Sequence, residues 1–351
     1  MFSRFVVSCC LVGAVAGAAS ASASWLSAAA PSDLGGPTAR QGGGQFRITT
    51  RDFWLNLHSF LYVLGRAQNG TPDRLREAVV HAPDDVTRAL GPATDADRAV
   101  WKAAVDFYAA GPSTRDVVFD APLVDAATAL SRIGDASDLE GVSATVLPAD
   151  WRATLERAAP VYRRLFWAEQ LRANNAWADE VSELVAQHGD AIEQRMTRAF
   201  GQPWPKEGFP VHVCAYTNWA GAFSTGDHLL LLASENPSTK GTEGLETIFH
   251  EAAHQLDPAI HAMLVKASEA QGVPIPRNLE HALIFYTAGD SVRREIPSHV
   301  PYTDATNMWP RLGPDLKTAL DAGWRPFLDG KGTREGAVAE TLRKARATRQ
   351  R

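Results

Sequence analysis

The spacing of apolar positions changes character four times along this chain. Behind the single cation Arg4, residues Phe5 to Ala19 are apolar or small without a break, a run shorter than the roughly 20 residues a membrane span needs. From 24 to 46 no period is visible; Ala, Ser, Gly and Pro dominate, and the stretch closes on Gly42-Gly43-Gly44. Over 47–203 apolar residues recur at helical spacing. Phe53, Leu57, Phe60, Leu61 and Leu64 make one stripe; Ala99, Ala103, Val105, Phe107 and Tyr108 lie in another helix, behind an Asp95 or Asp97 N-cap. Further helices are predicted over Trp151–Arg172, kinked at Pro160, and over Asn174–Phe200.

After Gly201-Gln202-Pro203-Trp204-Pro205 the period shortens to two. Val211, Val213 and Ala215 alternate with His212 and Cys214, which predicts a strand. Asn218–Ser224, weakened by Gly221, and His228–Ala233 predict two more, parted by a Gly226-Asp227 turn. Helical spacing then returns at Glu243–Leu256 and near 259–270, 278–288, 314–322 and 333–348. The order predicts a mainly helical α+β protein: a helical N-terminal region (47–203), then a small mixed or antiparallel sheet followed by helices (204–351).

The first 23 residues read as a signal peptide, with small-residue cleavage sites at Ala19-Ser20-Ala21 and Ala21-Ser22-Ala23, and 24–46 as a flexible tether. Lipid attachment at Cys9 or Cys10 is the weaker reading, because only Phe5 to Val7 is apolar before them. The expectation is an exported bacterial protein, periplasmic or secreted, with no membrane span after processing. Composition narrows its chemistry. Of 351 residues 45% are hydrophobic and 21% charged, the net charge is -5, and no Lys/Arg run dominates, which argues against a nucleic-acid partner. Three cysteines make no disulfide framework, and processing leaves Cys214 alone, so it is given no role.

His250-Glu251-Ala252-Ala253-His254 carries the chemistry. Two His at i and i+4 share a helix face and can reach one zinc ion. The Glu between them lies about 100° round the helix, placed to take a proton from a zinc-activated water without ligating the metal. Leu245, Ile248, Phe249, Ala252 and Leu256 form an apolar stripe on the same helix, and Glu246, His250, His254 and Asp257 a polar one beside it. The bland alternative is a solvated polar face. A strand with an open edge ahead of the helix suits a peptide substrate, which can pair with that edge.

A catalytic zinc takes three protein ligands. The best source of the third is Asn278–Tyr286, a largely apolar helix with Asn278 as its N-cap. Glu280 in its first turn has a structural reason in the helix dipole, whereas His281 gains nothing there as a cation and is neutral, the form that ligates metal. His281 is the first choice and Glu280 the alternative. Tyr286, Tyr302 and His299 are candidate donors to an oxyanion, with Tyr302, in the Pro301-Tyr302-Thr303 loop, preferred. Asp257 either orients His254 or ends the helix before Pro258, and Asp290 either supports another ligand or solvates a loop. His58, Trp54, Trp167 and Trp204 read as structural.

The segment near 210–300, under a third of the chain, resembles the zincin metallopeptidases, most nearly the gluzincin (thermolysin-like) group. Glu246-Thr-Ile-Phe-His250-Glu251-Ala-Ala-His254 carries the likeness, and Asn218-Trp-Ala-Gly-Ala222 looks like that group's substrate-holding edge strand. The resemblance implies a Glu as third ligand with an Asp four residues on; Glu280 fits the spacing loosely, but position 284 is Ile. The metzincin pattern fails, since its third His would fall at Ile260 and its Gly at Asp257. The chain also resembles a group of exported bacterial proteins that share Phe53-Trp-Leu-Asn-Leu-His58, the zinc motif, His281-Ala-Leu-Ile-Phe-Tyr-Thr-Ala-Gly289 and Pro301-Tyr302. That second likeness favours His281. The expected function is an exported zinc metallopeptidase with Glu251 as general base, the helical N-terminal half walling its cleft. The alternative is a non-catalytic exported protein of zincin-like fold whose metal is structural or absent.

Overall fold

The computed structural model describes residues 40–42, 44–70, 86–218, 220–225 and 229–349. The predicted signal peptide, Cys9, Cys10 and most of the predicted tether lie outside them, as do Trp219, the Gly226-Asp227 turn and His228. The architecture is α+β and mainly helical, with one mixed sheet between two helical layers. The strands are β1 (Arg40–Gly42), β2 (Phe46–Thr49), β3 (Phe209–Cys214), β4 (Ala222–Ser224) and β5 (Leu230–Ala233), in the order β1-β2-β3-β5-β4. β2, β3 and β5 run parallel; β1 and β4 are antiparallel edges.

Side chains alternate across the sheet at the strand period of two. Phe46, Ile48, Val211, Val213, Leu230 and Leu232 face one core; Cys214, Phe223, Leu229 and Leu231 face the other. Covering both faces explains why β5 reads Leu-Leu-Leu-Ala, with no polar position. The second core is closed by α1 (Phe53–Gln68), α2 (Asp95–Ala110), α3 (Ala121–Ile133) and α4 (Ala149–Leu165). The first is closed by α5 (Trp167–Phe200), α6 (Gly241–Ala253), α7 (Asp257–Gln271), α8 (Leu279–Glu295), the short α9 (Tyr302–Ala305) and α10 (Trp309–Leu312), then α11 (Leu316–Leu328) and α12 (Arg334–Arg349).

Four boundaries differ from the sequence reading. The tether ends earlier, because Arg40–Gly42 pairs as β1 and Phe46, fully buried, opens β2. The Trp151–Arg172 helix breaks at Phe166, whose backbone leaves the helical region while its ring stacks on Trp101 at 4.5 Å; Pro160 sits inside α4 without ending it. Helix α5 therefore runs unbroken from Trp167 and packs in the core of the C-terminal helices, so residue 203 does not separate two cores. The α2 N-cap is Thr94, which forms a capping box with Asp97, rather than either aspartate.

A buried polar knot ties the layers together. The Asn56 amide donates to the Asp52 and Val213 carbonyls, and its Oδ1 accepts from the Ala215 N–H and the Asn174 amide. Asn174 Oδ1 in turn accepts from Ser234 Oγ at 2.7 Å. These bonds satisfy groups that would otherwise be costly to bury. The residues expected to be structural are so placed. His58 is bonded through Nδ1 to the Tyr108 hydroxyl, the Trp54 indole donates to the Ala136 carbonyl, Trp167 packs edge-on against Phe53, and Trp204 packs with Phe46, Phe209 and Phe249.

Candidate metal centre

The polar stripe of α6 is not a solvated face. Glu246, His250, Glu251 and His254 are each at most 5% exposed, so the bland reading fails on burial. Helix α8 explains how. Its own four-residue stripe, His281, Phe285 and Gly289, runs against Glu246, His250 and His254 of α6 in the opposite order. A Cβ on Gly289 would lie 3.0 Å from Glu246 Oε1, the Phe285 ring lies 3.9 Å from that of His250, and the His281 ring 5.1 Å from that of His254. Glycine at 289 is what lets the two helices close on the carboxylate.

His250, His254 and His281 offer ligand atoms all within 4.8 Å of one another. His250 Nε2 lies 3.1 Å from His254 Nε2 and 3.3 Å from His281 Nε2. Tetrahedral zinc with Zn–N near 2.0–2.1 Å would space its nitrogens about 3.3 Å apart. Neutral imidazoles cannot satisfy three converging Nε2 atoms among themselves, because each ring carries only one N–H. The donor set therefore fits a metal ion. His254 arrives just past the end of α6, where the chain tightens into a 3-10 turn (His254–Leu256) before Asp257-Pro258 starts α7. Asp257 fills both roles considered for it: it opens α7, and both its carboxylate oxygens lie 3.3 Å from His254 Nδ1. A carboxylate there favours the tautomer that leaves Nε2 free to ligate.

Charge follows the same geometry. Burial, with His254 and His281 beside it, holds His250 well below the usual imidazole value, and burial and His254 do the same to His281. Burial also works to lower His254, but the carboxylates of Asp257, Glu251 and Glu280 together more than offset it and the net shift is upward. Glu280, the alternative ligand, stands outside the group: Oε2 pairs with His261 Nδ1 at 3.1 Å near the surface, and burial raises its carboxyl. Asn278 is the N-cap residue of α8 but does not cap with its side chain. It adopts φ 64°, and its amide donates to the Leu312 carbonyl.

Of the proposed oxyanion donors, Tyr302 alone shares the recess with His250 and Glu251, alongside Phe285, Ala220 and Ala222. Its ring stacks on Phe285 at 5.7 Å and 6°. Tyr286 is turned away, its hydroxyl donating to Asp321 and accepting from Arg325. His299 is buried against Glu246 and does not line that recess. Asp290 lies with Arg293, Arg294 and Arg325, remote in bonding from the three His. The expected edge strand is shorter than read: Asn218 Oδ1 accepts from the Ala220 and Gly221 N–H groups, Gly221 takes φ 82°, and β4 begins at Ala222. Among the described residues it is an edge, paired only with β5, and it borders the recess. Phe285 and the Glu246–His299 pair were not singled out for the site; the matching four-residue spacings in α6 and α8 were the available signal.

No protein family matches this chain, and neither curated proteins nor solved structures gave a match. No helix among the described residues is long and apolar enough to cross a membrane.

Proposed function

We propose that the protein is an exported zinc-dependent hydrolase, and specifically a peptidase. The observation that carries the proposal is the convergence of three imidazole nitrogens, those of buried His250 and His254 and of half-buried His281, beside a buried glutamate, in a recess bordered by a strand edge. Zinc in such a donor set acidifies a water to a pKa near 7 and polarises a carbonyl. His250, His254 and His281 would hold it, and Asp257 would orient His254. Glu251 takes a proton from the attacking water and delivers it to the leaving amine. The outer edge of β4 offers backbone groups to an extended peptide, and Tyr302 donates a hydrogen bond to the developing oxyanion.

The test is Glu251→Gln in the zinc-loaded protein, with hydrolysis of an unfolded protein substrate and zinc content measured together. The expected outcome is a loss of about 10²–10⁴-fold in kcat/KM with about one equivalent of zinc retained. Zinc-loaded wild type that cleaves nothing, or cleavage indifferent to the substitution, would point to a non-catalytic protein whose metal is structural.

A further inference from the structure

Glu246 is fully buried one turn before the first ligand, and nothing in the proposed chemistry uses it. The helix dipole does not explain it, because Glu246 lies beyond the first turn of α6, where that effect fades. A buried carboxylate requires donors. Glu246 has two, both on Oε2: the His299 Nε2 at 2.6 Å and the Tyr302 backbone N–H at 2.8 Å. Both come from one short segment, the connection after α8 and the first residue of α9. His299 is gripped a second time, its Nδ1 lying 3.0 Å from Thr242 Oγ1, one turn earlier on the same helix.

We infer that Glu246 is a positioning residue: with His299 it latches the 299–302 segment onto α6 and so fixes Tyr302 in the recess it shares with His250 and Glu251. The inference rests on the proposed role of Tyr302. The chain of contact is continuous. Glu246 fixes the backbone of Tyr302, whose ring lies flat on Phe285, whose ring lies on His250. The helix that carries two of the ligands thereby also sets where the oxyanion donor stands. Gly289 is the clearance for this latch, since a Cβ there would come within 2.7 Å of Pro301 Cβ as well as meeting Glu246.

A double-mutant cycle between Glu246→Ala and Tyr302→Phe, read in kcat and KM, tests it. With Tyr302 present, Glu246→Ala is expected to lower kcat about tenfold or more with little change in KM, and to cost less than about twofold once Tyr302 is Phe. Equal losses in both backgrounds would overturn the latch, because a role in general stability does not depend on the Tyr302 hydroxyl. Hydrogen exchange at the Tyr302 amide provides a readout independent of catalysis. It is expected to speed up at least about tenfold in Glu246→Ala, with zinc still bound; unchanged exchange would overturn the inference. If wild type hydrolyses nothing, that result falls on the proposed function, and exchange alone decides the latch. Should Glu246→Ala fail to fold, Gly289→Ala, which displaces Pro301 without removing the charge, is expected to give the same exchange signature, and protection equal to wild type would count against the latch.

Discussion

At the scale of single residues, the choice between His281 and Glu280 shows how one helical position divides two outcomes. Neighbours in sequence point about 100° apart on a helix, so when His281 faces α6 its neighbour Glu280 is turned toward His261. The sequence argument for His281 came from the unfavourable placement of a cation at a helix N-terminus, and the structure adds the spatial reason. His281→Ala is expected to weaken zinc binding by more than about 10²-fold, beyond the 10–100-fold typical of losing a supporting residue, while Glu280→Ala changes it little. Competition against a chromophoric chelator measures both. Comparable losses at the two positions would contradict the assignment.

At the scale of elements, the opposed stripes of α6 and α8 were legible as periodicity but not as partnership. Glu246, His250 and His254 repeat every four residues, as do His281, Phe285 and Gly289, yet nothing local says that the two runs pack antiparallel. The same gap hid the pairing of His299 with Glu246, which is 53 residues away and within reach only through the return after α8. Strand β4 was overextended for a local reason, since Asn218 turns the chain before pairing begins. Helix α1 carries a pH-dependent term of its own. Burial depresses His58 from 6.5 to about 4, so on acidification the unfolded chain takes up a proton before the folded one does. This contribution to stability is complete above pH 6.5 and declines toward pH 4, by on the order of 3 kcal/mol. In chelator-treated protein, His58→Gln is expected to flatten the fall of the urea midpoint between those pH values relative to wild type. The three site histidines titrate alike in both proteins, so the difference isolates His58.

At the scale of the whole molecule, the mainly helical α+β class and the order of its parts were readable, and the division into halves was not. Parallel pairing of β2 with β3 joins Phe46 to Phe209 across most of the helical region, and no local pattern announces a contact at that separation. A four-residue strand after a Gly-rich run looks like the end of a tether. Once paired, it places Phe46 edge-on to Phe249, at 5.1 Å, directly beside the first ligand in sequence. Phe46→Ala is expected to destabilise the fold by about 3–5 kcal/mol and to lower the zinc occupancy that survives mild denaturant. Urea titration with and without chelator checks this, and a loss below about 1 kcal/mol would show that β2 is dispensable.

The second core gives Cys214 a use that its lack of chemistry conceals. The thiol is wholly enclosed between β3 and the α1–α4 layer, and burial pushes its pKa up, so it is inert while that layer stays seated. In a protein with Cys9 and Cys10 replaced by Ser, its alkylation becomes a clock for the lifting of the N-terminal helices from the sheet. The metal centre lies on the sheet's other side, so the clock's response to added zinc reports whether the two layers open together or one at a time.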